Sequence, residues 1–228
     1  MPIFMLTSNV YFRHSNITLM RHIKNIIFDL GGVIINLDIN KSIKAFNAFS
    51  TQPFEEIYTQ AKQSDLFNSF DKGTISQETF FYELAKTIGY NGEMDVLYNA
   101  WNAMLLDFPE HRFDTLVSAK QRYNTFLLSN TNETHIEVFE RDLRRTHGIQ
   151  NFEDYFDKLY YSCRLGMRKP DAEIFEFVLN ENKLNPTETI FIDDSIQHVK
   201  GAGEVGINAH LLEKNMEVQT LLEKLNLL

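Results

Sequence analysis

The sequence predicts an α/β fold, a doubly wound parallel sheet that carries a helical insertion. Short apolar runs typical of buried strands alternate with segments whose apolar residues recur at helical spacing. Residues 40–107 differ, since they contain amphipathic stretches and no strand pattern. Polar residues follow three of the apolar runs, and open parallel sheets bind ligands at the carboxyl ends of their strands. We therefore expect a ligand site at one edge of the sheet.

Each predicted element rests on its own local pattern. Apolar runs predict strands at 25–28, 125–128, 158–161, 189–192 and 207–212, and helical periodicity predicts helices at 110–122, 132–145, 171–182 and 195–205. Pro170 and Asp171 mark the start of the third helix, and Gly206 follows the fourth. Because strands and helices alternate, the sheet should be parallel, with helices on both faces.

The chain divides on this pattern into an N-terminal extension (1–22), a core (23–37 and 108–228) and an all-helical cap (38–107). The cap follows the first strand directly, so we expect it to lie over the strand ends as a cover. Its large apolar residues should mostly form the cap's own core rather than a substrate-binding surface. They include Phe46, Phe49, Phe54, Ile57, Tyr58, Phe67, Phe80, Phe81, Leu84 and Trp101.

Composition excludes several classes of function. The chain has 228 residues, a formal charge of −9 and no long Lys/Arg cluster, which argues against nucleic-acid and anionic-membrane binding. The lone Cys163 allows no internal disulfide, and no apolar run is long enough to span a bilayer. The leader lacks the order of a secretory signal, and translation can also begin at Met20. We expect a cytoplasmic protein, and its oligomeric state is open.

Asp29 is the candidate nucleophile. It follows the first strand in Phe28-Asp29-Leu30-Gly31-Gly32-Val33, where a carboxylate can attack phosphorus and form an aspartyl-phosphate. Gly31 and Gly32 let the backbone approach a phosphate closely and offer N–H groups to its oxygens. The same pattern is also found at ordinary strand-to-turn transitions, so it needs support from other segments.

Two later segments offer that support. Ser129 and Asn130 follow the second strand, where a hydroxyl and backbone N–H groups can bind a phosphoryl oxygen. Lys169, in Arg168-Lys169-Pro170-Asp171, supplies a positive charge for both the phosphate and the nucleophile. Either segment alone is compatible with an ordinary solvated loop.

Asp193 and Asp194 predict a metal site. These adjacent acids follow the strand residues Phe191-Ile192, where they would repel each other without a cation. Mg²⁺ prefers oxygen ligands and keeps several waters, so Asp29, a backbone carbonyl and one or both of these acids would suffice to bind it. The four segments together predict metal-assisted phosphoryl transfer to or from a small phosphorylated metabolite.

These motifs resemble those of the haloacid dehalogenase superfamily of phosphatases, and the resemblance covers residues 23–212. Within the superfamily, the chain resembles the branch that contains sugar-phosphate phosphatases such as bacterial glucose-1-phosphate phosphatases. The segments that carry this resemblance are Phe28-Asp29-Leu30-Gly31-Gly32-Val33-Ile34, Leu128-Ser129-Asn130-Thr131-Asn132, Leu165-Gly166-Met167-Arg168-Lys169-Pro170-Asp171, Phe191-Ile192-Asp193-Asp194-Ser195 and the cap stretch Phe70-Asp71-Lys72-Gly73-Thr74-Ile75-Ser76. The resemblance implies a Rossmann-like core with a helical cap, magnesium dependence and a two-step mechanism.

The resemblance also implies a role for each motif residue. Asp29 would be the nucleophile and a metal ligand, and the Gly31 carbonyl a second ligand. Ser129 and Asn130 would bind phosphate, together with the Gly31-Gly32 backbone. Lys169 would bridge phosphate and Asp29, and Asp194 with Asp193 would complete the metal site.

Gly31 departs from the family pattern, which usually has a second aspartate there as general acid and base. The missing donor favours a leaving group that needs no proton, such as an anomeric oxygen, unless a neighbour such as Asp38 supplies one. His198 also departs from the usual residue, and we interpret it as a helix residue without a metal role. Three alternatives stay open: a dehalogenase, a phosphomutase, and a catalytically weak protein that binds a phosphorylated ligand or regulates a partner.

Overall fold

We analysed a computed structural model, which describes residues 22–56 and 65–228. The predictions for the leader, for Met20, and for Ile57 and Tyr58 in the cap lie outside these residues. Within them, no helix combines the length and apolar character needed to cross a membrane.

The predicted parallel sheet is confirmed. Its strands are β1 (Asn25–Phe28), β2 (Asn124–Ser129), β3 (Lys158–Tyr161), β4 (Thr189–Asp193) and β5 (Asn208–Leu211). They pair in parallel in the order β3-β2-β1-β4-β5, so β1 lies at the centre. The chain crosses from one half of the sheet to the other beside β1, which is where a doubly wound sheet opens a crevice for ligands.

Helices cover both faces of the sheet because successive strand residues point to opposite sides. On one face, Ile26 and Phe28 pack with residues of α5 (Glu110–Lys120), α6 (Glu133–Asp142) and α10 (Val218–Lys224). On the other, Ile27 packs with residues of α8 (Ala172–Glu181) and α9 (Ile196–Glu204). A short helix, α7 (Ser162–Leu165), follows β3.

Residues 38–107 contribute no strand to this sheet in the part of the chain that the structure describes. Their helices include α1 (Ile39–Asn47), α2 (Asp65–Asp71), α3 (Gln77–Ile88) and α4 (Met94–Asn102). The aromatic residues of this segment form a separate buried cluster, in which the Phe70 and Phe80 rings stack with centroids 3.9 Å apart. The boundaries of the cap as a domain stay a prediction.

Phe80 should be a main determinant of the stability of this segment. Its side chain is fully buried in the aromatic cluster, so Phe80→Ala leaves a cavity and should lower the free energy of unfolding by about 3–5 kcal/mol. Tyr82 lies on the same helix but is 65% exposed, so Tyr82→Ala should change that free energy by less than about 0.5 kcal/mol. Urea unfolding measures both, and equal losses would show that the cluster contributes little.

Candidate active site

Strand register places the predicted residues of three segments side by side. Phe28 pairs with Leu127 on one side and with Ile192 on the other, so the residues that follow these strands emerge at one edge. The Asp29 N–H donates to the Ile192 carbonyl at 2.9 Å, which fixes the nucleophile candidate against the end of β4. Asp29, Ser129 and Asp193 are all buried there.

Lys169 joins these strand ends. Its ammonium group donates to Asp29 Oδ1 at 2.7 Å, to Asp193 Oδ2 at 2.6 Å and to the Leu128 carbonyl at 2.8 Å. The side chain is fully buried, so these three acceptors replace the water that its charge has lost. Lys169 therefore has one defined position, in contact with the nucleophile candidate.

Asn130 holds the backbone of Lys169. Its side-chain amide donates to the Lys169 carbonyl at 2.8 Å, and its Oδ1 accepts from the Lys169 N–H at 2.9 Å. Both ends of the Asn130 side chain are thus engaged with protein. The predicted contact of Asn130 with phosphate would accordingly come from its main chain, whereas the Ser129 side chain lies in the wall of the same cavity.

Burial and neighbouring charges shift the pKa values of Asp29 and Asp193, the two carboxyls that contact Lys169, in opposite directions. Burial, with repulsion from Asp193, raises the pKa of Asp29 to about 7 against the opposing attraction of Lys169. Burial also acts on Asp193, but attraction to Lys169 and the His198 contacts at 3.0 Å dominate and lower its pKa to about 2. Asp193 is therefore the ionised partner of Lys169 at neutral pH. Asp29 still binds a proton near neutral pH, and a bound cation would favour its ionised form.

Asp194 lies against the glycine-rich turn. A Cβ added to Gly32 would meet Asp194 Oδ2 at 2.2 Å, and Gly32 has a φ of +71°, so only glycine fits there. Burial and repulsion from Asp193 raise the pKa of Asp194. Carboxylate oxygens of Asp29, Asp193 and Asp194 all lie within 4.8 Å of one another. Three carboxylate oxygens at this spacing suit Mg²⁺, which prefers oxygen ligands. The raised pKa values of Asp29 and Asp194 also mean that a cation bound between them would stabilise their ionised forms.

At Gly31 the structure has an apolar neighbour in place of an acid. A Cβ added to Gly31 would meet Leu37 Cδ1 at 2.5 Å, so the Leu37 side chain occupies the space next to this position. Asp38, the alternative proton donor, caps α1 and accepts the Asn40 N–H at 3.1 Å. Asp38 is also absent from the residues that line the cavity described next.

A cavity of about 830 Å³ lies above the strand ends, between them and the helical segment. Its floor includes Asp29, Ser129, Lys169 and Asp194, and its other walls combine polar and apolar side chains. Those from the helical segment include Phe67, Asn68, Ser69, Asp71, Lys72, Thr74, Trp101 and Met104. Phe67 and Trp101 thus contribute both to the aromatic cluster and to the cavity wall.

Sequence reasoning assigned no role to three residues that the structure places in the cavity wall. His198 contacts Asp193, Arg168 hydrogen-bonds Asn68 Oδ1, and Asp71 lies 3.6 Å from Arg168. Arg168 and Asp71 belong to the motif segments quoted above. Their position within these segments was the sequence signal that could have pointed to them. His198 follows Asp193 by five residues, at the first turn of α9, where a side chain can reach back to the strand end.

Comparison with known proteins agrees with this geometry. A family model described as haloacid dehalogenase-like hydrolase matches residues 23–206. A D-ribitol-5-phosphate phosphatase from Bacteroides thetaiotaomicron is 30% identical over 184 residues, which are 81% of this chain and 89% of the relative.

Solved structures of similar proteins cover nearly the same residues. A haloacid dehalogenase family enzyme from Bacteroides thetaiotaomicron, solved with magnesium and inorganic phosphate, superposes with a TM-score of 0.78 at 34% identity over 87% of this chain and 98% of that one. A protein from Porphyromonas gingivalis described as a predicted haloacid dehalogenase-like family hydrolase superposes with a TM-score of 0.81 at 31% identity over 90% of this chain and 98% of that one. Motifs, sheet order and family match agree, and this chain belongs to the haloacid dehalogenase-like hydrolase family.

Proposed function

We propose that this protein is a magnesium-dependent phosphatase that hydrolyses a small phosphate monoester, a phosphorylated sugar or sugar alcohol, through an aspartyl-phosphate on Asp29. The observation that carries the proposal is the position of Asp29. Its carboxylate contacts the buried Lys169, and one of its oxygens lies within 4.8 Å of an Asp194 oxygen, close enough for one metal ion to bind both. The names of similar proteins, a D-ribitol-5-phosphate phosphatase among them, support the same class of reaction.

Each residue has a defined task in this proposal. In the first step, an Asp29 carboxylate oxygen attacks phosphorus, and the bond from phosphorus to the leaving oxygen breaks. Ser129, the main chain at Asn130 and the Gly31-Gly32 backbone would hold the phosphoryl oxygens, and Lys169 would neutralise their charge. In the second step, water attacks phosphorus and releases Asp29 and inorganic phosphate.

Magnesium fits the carboxylate cluster. Asp29, Asp194 and the Gly31 carbonyl would hold it, with Asp193 beside them, and the bound ion would offset phosphate charge and favour the ionised form of Asp29. We assign Asp193 mainly to Lys169 and His198, because its two carboxylate oxygens already accept from these side chains and from the Ser195 N–H at 2.7 Å. Lys169 then keeps its charge when Asp29 is phosphorylated.

The alternatives explain fewer of these contacts. A dehalogenase would use Asp29 in the same way but needs no metal, which leaves the spacing of Asp29 and Asp194 without a purpose. A protein that only binds a phosphorylated ligand would not need the buried Lys169 against the nucleophile. We therefore advance hydrolysis of a phosphate monoester alone.

A phosphatase panel tests the proposal. The wild-type protein should release inorganic phosphate from 4-nitrophenyl phosphate and from at least one sugar or sugar-alcohol phosphate when Mg²⁺ is present, and its rate should fall at least about 100-fold in EDTA. Chloride release from 2-chloropropionate serves as the control for dehalogenase chemistry. Absence of phosphate release from every compound, or chloride release without metal, would overturn the proposal.

A further inference from the structure

The reaction proposed above lacks a proton donor at its usual place, because position 31 is a glycine covered by Leu37. An alkoxide leaves phosphorus slowly unless it gains a proton, and general acid catalysis is typically worth about 10² to 10⁴ in rate. A substrate with an ordinary alcohol as leaving group therefore requires a donor elsewhere in the cavity.

The direction of attack limits where that donor can lie. The attacking and leaving oxygens are roughly in line across phosphorus in phosphoryl transfer. Asp29 lies in the floor at the end of β1, so the leaving oxygen must face away from the floor, toward the walls to which α2 and the turn after it contribute. Among the described residues, the acids that line this cavity away from the floor are Asp65, Asp71 and Asp171.

Asp71 differs from the other two in its burial and its contacts. The Asp65 residue is exposed, and the Asp171 side chain is 54% exposed and paired with Lys72 at 3.2 Å. The Asp71 side chain is 25% exposed and faces Arg168 at 3.6 Å.

The core holds the Asp71 main chain in place over the site. Ser162 Oγ donates to the Asp71 carbonyl at 2.6 Å, and a Cβ added to Gly73 would meet the Cys163 carbonyl at 1.9 Å, so the turn after α2 lies directly on α7. Arg168, which faces the Asp71 carboxyl, comes directly before Lys169, and Ser162 Oγ also accepts the Thr131 N–H at 3.0 Å, directly after Asn130. Through Arg168 and Ser162, Asp71 is thus linked to the same two loops that would hold the phosphate.

The surroundings of Asp71 also suit proton transfer. Burial raises its pKa to about 6, against the opposing effects of Arg168 and Asn132. A carboxyl with this pKa exists both protonated and ionised near neutral pH. A group that acts as an acid and then as a base within one catalytic cycle needs both forms.

We propose that Asp71 replaces the missing aspartate as general acid and base, an inference that rests on the phosphatase function proposed above. In the first step the Asp71 carboxyl proton moves to the leaving oxygen as its bond to phosphorus breaks, which yields the free alcohol, the Asp29 phosphate and the Asp71 carboxylate. In the second step the Asp71 carboxylate takes a proton from the attacking water, which yields inorganic phosphate and restores both side chains. Alkyl phosphates are then substrates, as well as anomeric phosphates.

Asp71→Asn tests this role because it keeps the size of the side chain and removes the transferable proton. We compare kcat/KM for 4-nitrophenyl phosphate, whose leaving group needs no proton, with kcat/KM for the alkyl phosphate that the wild type hydrolyses fastest. The variant should lose about 10² to 10⁴ in kcat/KM on the alkyl phosphate and less than about fivefold on the aryl phosphate. Asp71→Glu should restore part of the alkyl activity.

Asp171→Asn is the matched control, since it removes the ion pair of Lys72 with Asp171, the residue before α8, and leaves the Asp71 side chain unchanged. It should leave the ratio of alkyl to aryl activity unchanged. Equal losses on both substrates in Asp71→Asn, or a changed ratio in Asp171→Asn, would assign Asp71 to docking of the helical segment and overturn the proposal.

Measurements on the wild type keep the proposal testable if Asp71→Asn does not fold. The kcat/KM values of the wild type should depend only weakly on the acidity of the leaving alcohol or phenol. A steep dependence, or turnover of aryl and sugar 1-phosphates with none of alkyl phosphates, would overturn the role of Asp71 while leaving the phosphatase function intact. Inactivity on every phosphate would instead overturn the phosphatase function.

Discussion

Asp29→Asn should abolish phosphatase turnover while the protein remains folded. The amide cannot form an aspartyl-phosphate, so we expect the Mg²⁺-dependent kcat on 4-nitrophenyl phosphate to fall at least about 10⁴-fold. Asn keeps the size of the side chain and an oxygen that can accept from Lys169 Nζ, which lies 2.7 Å from Asp29 Oδ1. The loss of activity should therefore come from the missing nucleophile and not from a change in the fold.

The same variant should be more stable than the wild type when metal is absent. The pKa of Asp29 rises from 3.8 to about 7 on folding, so the proton it binds contributes stability below pH 4 that is lost as the pH rises to 7. Asn has no such pH dependence. Relative to the wild type, its free energy of unfolding should increase by about 1–4 kcal/mol between pH 4 and pH 8.

Urea unfolding in EDTA at several pH values measures this difference. A stability difference that does not change with pH would mean that Asp29 is already ionised in the metal-free fold. Residual Mg²⁺-dependent turnover of Asp29→Asn near the wild-type rate would mean that another group attacks phosphorus. A stabilised but inactive variant is the signature of a nucleophile held in an unfavourable buried position.

The sequence predicts the floor of this site well because local patterns determine it. Asp29, Ser129 and Asp193 each follow or end an apolar strand, and parallel pairing brings such positions to one edge whatever the details of packing. The fold class, the positions of the five strands and the helical character of the insertion are confirmed on the same grounds. The roles of the individual residues stay predictions.

Contacts between distant segments were harder to predict. Asn130 was expected at the phosphate, yet its side chain holds the backbone of Lys169, 39 residues away. The position of Asp71 depends on how α2 docks against Ser162 and Arg168, which no periodicity encodes. Local patterns also missed α10, whose residues Leu221 and Leu222 are buried, and the π-helical turn Leu143–His147 that ends the predicted helix 132–145.

Lys169→Met should damage both folding and catalysis. The variant leaves Asp29 and Asp193 buried without their shared cation, and removal of one partner from a buried ion pair typically costs about 3–5 kcal/mol in the free energy of unfolding. Activity of the folded fraction should fall at least about 100-fold, because Lys169 contacts Asp29 and, in the proposed mechanism, neutralises phosphate charge. Lys169→Arg should not restore it, since a planar guanidinium cannot reproduce the three contacts of the compact ammonium group.

The loss of stability in Lys169→Met should depend on pH because Asp29 and Asp193 are titratable. In the wild type, Lys169 helps to lower the pKa of Asp193 to about 2, so Asp193 contributes stability that is present above pH 4 and lost as the pH falls through 2. In the variant this contribution disappears, and the pKa of both acids should rise. The stability deficit of Lys169→Met should therefore be largest at neutral pH, smaller at pH 4, and should disappear as the pH falls through 2.

Lys158→Met is the matched control, because Lys158 forms an ion pair with Glu181 at 2.7 Å but is 46% exposed. Its loss should cost less than about 1 kcal/mol. If the two lysine variants lose equal stability, or if the deficit of Lys169→Met does not change between pH 4 and pH 7, then the three-residue charge cluster does not hold the strand ends together. The expected contrast would instead show that one buried ammonium group both stabilises this edge of the sheet and prepares Asp29 for attack.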